Sequence, residues 1–310
     1  MKQDIRIQLY KFSPFLFWST IIGVFYLLSL QNFYSFLALP LMLSIHHGCH
    51  ETAHGTLIPR TWKGSKRINF FSGCIGFAIV GHNYVQMRLS HSFHHIAGRL
   101  HEDVTIDMTE RNRGIVGRIY YYLQLLGWNA LIQEIYGYVN IILPANYKSS
   151  DSEFLSVKPR GKLFIQCQIF VFVITLLLLY VGGIYFLICR FLFLPLWGIG
   201  QNVSHYGLPV GQGKFPEFAA RTYRINPIIN FFLYGAGFYH FEHHVMPKMP
   251  GLLLWHPSVS EQIRSKLGFI PPHQLGLNRY LRDAFRQFLG PFPQEDQDWL
   301  SDKIPEELTA

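Results

Sequence analysis

Charge is scarce in this chain. Of its 310 residues only 15% are Asp, Glu, Lys or Arg, where an ordinary soluble domain carries about 25%. That shortage excludes a disordered or polyionic tail protein, which needs low hydrophobicity and abundant charge. It also argues against an ordinary soluble enzyme. Cysteine is scarce as well. Cys49, Cys74, Cys167 and Cys189 form no CxxC pair and stand among apolar neighbours, so they read as small buried hydrophobes rather than a disulfide framework. Repeats, Gly/Ser linkers and low-complexity tracts are missing too. One domain over 1–310 is expected.

What is abundant is apolar. Hydrophobic residues make up 49% and aromatics 16%, with 27 Phe and 17 Tyr. This composition fits a polytopic membrane protein with a sizeable polar portion. The net charge of +8 could in a soluble protein point to nucleic acid, but its placement argues otherwise. After Lys2, Arg6 and Lys11 the next basic residue is Arg60, and between Lys162 and Lys214 the one basic residue is Arg190. Basic residues flank the apolar stretches, as cytoplasmic segments do under the positive-inside rule. No basic-aromatic stripe of the nucleic-acid type is present, so no nucleic-acid partner is expected.

The basic start runs into an apolar stretch with no small-residue cleavage site after it, which reads as a first span rather than a signal peptide. Phe12–Leu30 is uncharged and long enough to cross a bilayer. Gln31-Asn32 is a minimal turn, and 33–57 reads as a second span whose last turns leave the hydrocarbon. Leu163–Val181 is a third, Gly182-Gly183 a second turn, and 184–203 a fourth. Arg190 within it is costly unless paired or snorkelling, and the sequence names no partner. Ile68–Val80 and Pro227–Tyr239 are apolar but short. Ile115–Leu143 is amphipathic, suited to lying on the membrane or packing on the domain. The connectors 31–32 and 182–183 carry no Lys or Arg. The expected fold is therefore all-α: a four-helix transmembrane stem made of two hairpins, with spans about 12–30, 33–57, 163–181 and 184–203. Both termini and a cap formed by 58–162 and 206–290 would face the cytoplasm, followed by a polar, acidic tail at 291–310.

Histidine carries the chemistry. His50-Glu51-Thr52-Ala53-His54 is an HxxxH, and His91-Ser92-Phe93-His94-His95 and His240-Phe241-Glu242-His243-His244 are both HxxHH. Offsets of three and four residues place side chains on one helix face. With 15 histidines in 310 residues, chance gives roughly 0.03 copies of HxxHH, and the chain holds two. Imidazole suits Zn, Cu, Fe and Ni. Eight box histidines are too many for one zinc and fit two metal ions. A histidine-rich dinuclear centre at a membrane face is the simplest reading. Metal-bound imidazoles usually donate their other N–H to a carboxylate or carbonyl. Glu51, Asp103, Asp107 and Glu242, in or just after the boxes, are the carboxylates placed to accept it. His46 and His47 share the helical neighbourhood of the first box but read as its neighbours rather than as ligands. His82, His101, His256 and His273 are isolated and read as surface or locally bonded residues.

These three clusters, His50–His54 followed by Gly55-Thr56, His91–His95 and His240–His244, resemble the histidine boxes of the integral-membrane fatty acid desaturase superfamily. Order, spacing and placement between two hydrophobic hairpins all match, over roughly 12–260. The resemblance implies a four-helix membrane stem with a cytoplasmic cap, and two ferrous ions (Fe2+) with O2 as co-substrate. It implies a ninth ligand, His205, at the end of the fourth span. Gln201, four residues earlier, would bind through water, although the desaturases usually carry Asn there. The metal set is then His50, His54, His91, His94, His95, His205, His240, His243 and His244, with no catalytic residue apart from them.

The implied activity is lipid oxidation: desaturation of a fatty acyl or related chain, or, as the alternative within the superfamily, hydroxylation or ketolation of fatty acyl, sphingoid or carotenoid substrates. Cleaving an unactivated C–H bond is beyond any side chain and falls to the cofactor. The chain carries no HPGG cytochrome b5 motif, no Cys-rich ferredoxin segment and no GxGxxG flavin fingerprint. Electrons are therefore expected from a separate donor, ferredoxin or cytochrome b5, both acidic in their usual families and steered by a basic cap. The third box opens on His240 where front-end desaturases with a fused cytochrome b5 usually have Gln, which disfavours that subclass.

Overall fold

The structure is a computed structural model, and it describes residues 5–97, 114–128, 130–132, 134–135, 138, 161–205, 220–235, 238–254, 259, 261–263, 265 and 274–289. Helices dominate the described residues: α1 (Ile5–Ser29), α2 (Ala38–His54), α3 (Ser65–Val80), α4 (Tyr84–Ala97), α5 (Gly114–Leu125), α6 (Lys162–Val203), α7 (Pro227–Phe232), α8 (His240–Val245) and α9 (Leu277–Leu289). The all-helical expectation needs one correction. Strands β1 (Thr222–Arg224) and β2 (Gln274–Gly276) pair in parallel, with Thr222 opposite Gln274.

The turn expected at Gln31-Asn32 forms through side-chain chemistry. Gln31 takes a φ of 47°. Asn32 Oδ1 accepts the Tyr34 N–H at 2.9 Å, and Ser35 Oγ accepts the Asn32 N–H at 3.2 Å. This reciprocal cap satisfies two donors that a helix start otherwise leaves orphaned. It opens a 3-10 turn, Phe33–Leu37, which runs into α2. The helix stops at Gly55, whose left-handed φ of 70° lets its N–H reach the Thr52 carbonyl.

Helix α6 has 42 residues and would extend about 63 Å if straight. It reverses instead. Gly183 has φ 52° and ψ −134°, outside helical space. Arg190 Nη1 lies 3.5 Å from Thr175 Oγ1, fifteen residues earlier, a separation of about 22 Å along a straight helix. The Gly182-Gly183 turn read from the sequence is therefore where the chain doubles back. Gln31 Nε2 donates to the Val181 carbonyl at 2.9 Å, so the two reversals touch and occupy the same end of the molecule.

Two helical stretches, Ile7–Ser29 and Lys162–Val203, are long and apolar enough to cross a membrane. Their inner sides form the core. Phe17, Val24 and Leu28 of α1, Met42 and Ile45 of α2, and Phe186 and Phe193 of α6 are all fully buried. Their outer sides leave large apolar residues uncovered, among them Ile22, Tyr26, Leu177, Tyr180, Ile184 and Phe191. Contiguous apolar exposure on this scale is rare on soluble monomers. Helix α3 is buried against α2 rather than standing alone, in keeping with its short apolar run. The amphipathic helix expected over Ile115–Leu143 is broken by a turn at Leu126-Gly127, where Gly127 has φ 66°.

The structure supplies the partner that the sequence could not name for Arg190. Its Nη2 pairs with Glu134 Oε2, and both side chains are largely buried. The guanidinium lies over Gly81, where an added Cβ would collide with Nη2, and Gly81 has φ 86°. Gly81→Ala is expected to destabilise the fold by more than the ~1–2 kcal/mol of left-handed backbone strain alone, because the methyl also displaces Arg190 from Glu134. Thermal unfolding of the detergent-solubilised variant measures this.

Candidate metal centre

Each histidine cluster is delivered by a short helical stretch. His50 and His54 sit one turn apart at the end of α2. His91 and His95 sit one turn apart on α4. That helix is registered by Asn83, whose Oδ1 accepts the Val85 N–H at 3.0 Å while its Nδ2 donates to the Phe164 carbonyl and to Gln168 Oε1 on α6. His240, His243 and His244 lie on α8. Just before it, Tyr239 bridges to Thr222 of β1, and the Tyr223 N–H donates to the Phe238 carbonyl at 2.8 Å. The residue before this strand holds the end of α6, because the Arg221 N–H donates to the Ser204 carbonyl at 2.9 Å, next to His205. The small sheet absent from the sequence reading thus frames two of the site's segments.

The structure gathers eight of the nine expected ligands into two groups. In the first are His50, His54, His91, His95 and His243, and in the second His205, His240 and His244. Within each group the ligand atoms lie within 4.8 Å of one another, so each could hold a metal ion. His94 is on α4, and its side chain falls outside the described residues, as do Asp103 and Asp107.

The separations test whether an ion fits. His54 Nε2 is 2.6 Å from His91 Nε2, which is 3.1 Å from His95 Nε2, which is 2.9 Å from His243 Nε2. In the second group His240 Nε2 is 2.7 Å from His205 Nε2 and 3.2 Å from His244 Nε2. Imidazole nitrogens bound at about 2.0–2.1 Å to one ion stand about 2.8–3.4 Å apart for angles between octahedral and tetrahedral; the 2.9, 3.1 and 3.2 Å separations fall in that range, and the 2.6 and 2.7 Å ones lie just below it. Four nitrogens converging on a point also share too few protons to satisfy one another as hydrogen bonds, since a neutral imidazole donates only once. Protonation is disfavoured too. Burial, then His50, His54, His95 and His240 around it, holds the pKa of His243 well below 6.5. Neutral rings with lone pairs directed inward are what a cation requires.

The expected carboxylates divide. Glu51 Oε1 is 3.6 Å from His50 Nδ1, while its Oε2 accepts from Thr56 Oγ1 at 2.7 Å and from the Gly251 N–H at 3.0 Å. It therefore fixes the end of α2 against the segment after the third box. Glu242 accepts from Thr222 Oγ1 and so ties α8 to β1; burial raises its pKa. Gln201 is half-buried in the last turn of α6, four residues before His205.

A buried histidine pair escaped the sequence reading. His46 packs among Phe77, His82, Phe193 and Trp197, with ring centroids 5.2–6.0 Å away. His82, expected as a surface or locally bonded residue, is instead 5% exposed, and burial followed by Arg190 pushes its pKa down to about 3. Both His46 nitrogens, His82 Nε2 and Trp197 Nε1 are buried without a hydrogen-bond partner among the described residues. His101, His256 and His273 fall outside those residues. His82→Ala is expected to keep the full metal complement while lowering thermal stability through loss of a packed ring. Elemental analysis beside a melting curve separates the two effects.

The family model for fatty acid desaturases matches residues 15–264. This chain belongs to the fatty acid desaturase family. A comparison with individually curated proteins found no match. The match contains all three histidine clusters, His205, the whole of α6 and α1 from residue 15 onward. Membership makes the desaturase-family chain an O2-dependent oxidoreductase of lipids and, with its apolar helices, a membrane protein. The family is known for di-iron catalysis, and the two histidine groups could each take an ion.

Proposed function

We propose that this family member is a multi-pass membrane lipid desaturase. It inserts a double bond into a fatty acyl or related chain, using O2 and two electrons from a separate donor, ferredoxin or cytochrome b5. The observation that carries the reading is the convergence of His50, His54, His91, His95 and His243 on one point beside His205, His240 and His244. The balance is one lipid CH2–CH2 unit, O2, two electrons and two protons giving one CH=CH unit and two waters.

In this reading the first group and the second group each hold an iron ion, with His94 completing the set and Gln201 contributing through water. When bound, the irons supply the oxidising power, drawn from O2, that no side chain has. The residues do the rest. The eight described imidazoles, buried or half-buried, bring their ring nitrogens together in the two groups. Glu51 fixes the end of α2, next to His50, through Thr56 and Gly251, and Glu242 holds α8 through Thr222. Helix α2, at 17 residues, is about 26 Å long, close to the ~30 Å of bilayer hydrocarbon. The histidines stand at its far end from the two touching reversals. This supports a four-helix stem with the site and both termini on the cytoplasmic side, where a lipid chain can reach the histidines from the bilayer and a donor from the cytoplasm.

The test is mass spectrometry of total lipids from a host expressing the chain, against a host expressing His244→Ala. A loss of two mass units in acyl species, absent in the variant, is the expected result. A gain of sixteen would overturn desaturation in favour of hydroxylation.

A further inference from the structure

Helix α9 turns its polar residues inward and its apolar residues outward. Asp283 is 1% exposed and Gln287 0%, whereas Leu277, Leu281, Phe285 and Leu289 are 48%, 56%, 65% and 65% exposed. This reverses the pattern of a helix covering a soluble core. The inward side binds the rest of the protein. Asp283 Oδ2 accepts from Tyr223 OH at 2.8 Å and Arg279 Nε at 2.9 Å, and pairs with Arg221 at 3.4 Å. The Tyr121 hydroxyl donates to the Gln287 carbonyl, and Gln287 Nε2 donates to the carbonyl of Ile199 at 3.4 Å.

Rotation at about 100° per residue sorts the helix into three sectors. Leu277, Leu281, Phe285 and Leu289 sweep an arc of roughly 120°, with Asn278 as the one polar residue inside it. Arg282 and Arg286 follow on one side of it, and Asp283 and Gln287 lie beyond them against the protein. Three arginines oppose a single acid, Asp283, which is buried. An apolar arc bordered by arginine is the composition of a helix lying in a membrane interface beside anionic headgroups. Its position agrees. The contact at Ile199 is three residues, about 4.5 Å, beyond Leu196, a 48% exposed residue on the outer side of α6. Helix α9 is therefore clamped where α6 leaves the hydrocarbon. The neighbouring α5, which packs on α9 through Tyr121, also exposes Ile115, Val116 and Ile119.

We propose that α9 is an interfacial anchor. Its Leu281–Phe285 face inserts at the acyl–headgroup boundary of an anionic bilayer, and Arg282 and Arg286 contact the headgroups. This rests on α6 spanning the membrane, as proposed above. Because Asp283 holds Arg221 and Tyr223, the anchor also sets the depth of β1, and with it the segments bearing His205 and His240.

The experiment uses the full chain reconstituted in phosphatidylcholine–phosphatidylglycerol vesicles, with an environment-sensitive fluorophore on Phe285→Cys. Leu281→Cys is a second probe of the face, Arg282→Cys marks its border, and Leu187→Cys reports α6. The native chain, whose cysteines are buried or half-buried, gives the background. Blue-shifted emission at Phe285 and Leu281, quenched several-fold more by shallow doxyl lipid than by aqueous iodide, is the expected result. Charge reversal of Arg282 and Arg286 should reduce that quenching in anionic vesicles. Iodide quenching at both positions would overturn the proposal, as would quenching by neither agent, which would place the face against protein. Lipid quenching at Leu187 without it at Phe285 and Leu281 overturns the anchor alone; its absence at all three overturns the span as well.

Discussion

Replacing His243 with Ala is expected to remove about one iron per chain and lower lipid oxidation by at least about 100-fold, the upper end of the effect of losing a residue that merely orients a ligand. His243 is fully buried. It is the member of the third cluster that reaches the first group, with its Nε2 2.9 Å from His95 Nε2 and its ring 4.5–4.7 Å from those of His50, His54 and His95. His240, one turn earlier, and His244, the next residue, belong to the second group. Helix α8 is thus where the two groups join, and truncation at His243 should weaken both sites. Iron content and product formation on the same purified sample check this. A variant that keeps two irons and normal turnover would remove His243 from the centre.

Arg190 and Glu134 give the second large effect. Arg190 sits on the returning half of α6 with 13% of its side chain exposed, and Glu134 has 6%. Breaking a buried pair leaves one uncompensated charge and costs about 3–5 kcal/mol, whereas replacing both partners with neutral groups of similar size is often neutral or stabilising. Arg190→Met and Glu134→Gln are each expected to be strongly destabilising, and the double variant to recover most of the loss. Melting curves for the four proteins in detergent test it. Additive losses in the double variant would show that the two charges do not compensate one another.

The reversals were legible because their signals are local. Gln31-Asn32 and Gly182-Gly183 interrupt apolar runs with residues that tolerate positive φ or cap a new turn. The histidine clusters were legible because spacings of three and four survive in any helix. What the sequence hid depends on distant partners. Nothing near Arg190 points to Glu134, fifty-six residues away. The parallel pairing of Thr222 with Gln274 joins two three-residue strands too short to show alternation. His82 carries no local mark of burial, because two of the rings enclosing it, His46 and Trp197, come from α2 and α6 and only Phe77 is local. In α9 the apolar period is present in the sequence, but its outward orientation follows from Asp283 binding Tyr223 and Arg221. The roles of Asp103, Asp107 and the His94 side chain lie outside the described residues.

The central claim is a pair of metal ions held by histidine, and the most direct measurement is metal analysis of the purified chain with an absorption spectrum of the same sample. Two iron atoms per chain, no Soret band, and loss of both iron and lipid oxidation on chelation, with recovery on adding ferrous iron, are expected. A single zinc per chain, or a haem spectrum, would contradict that claim.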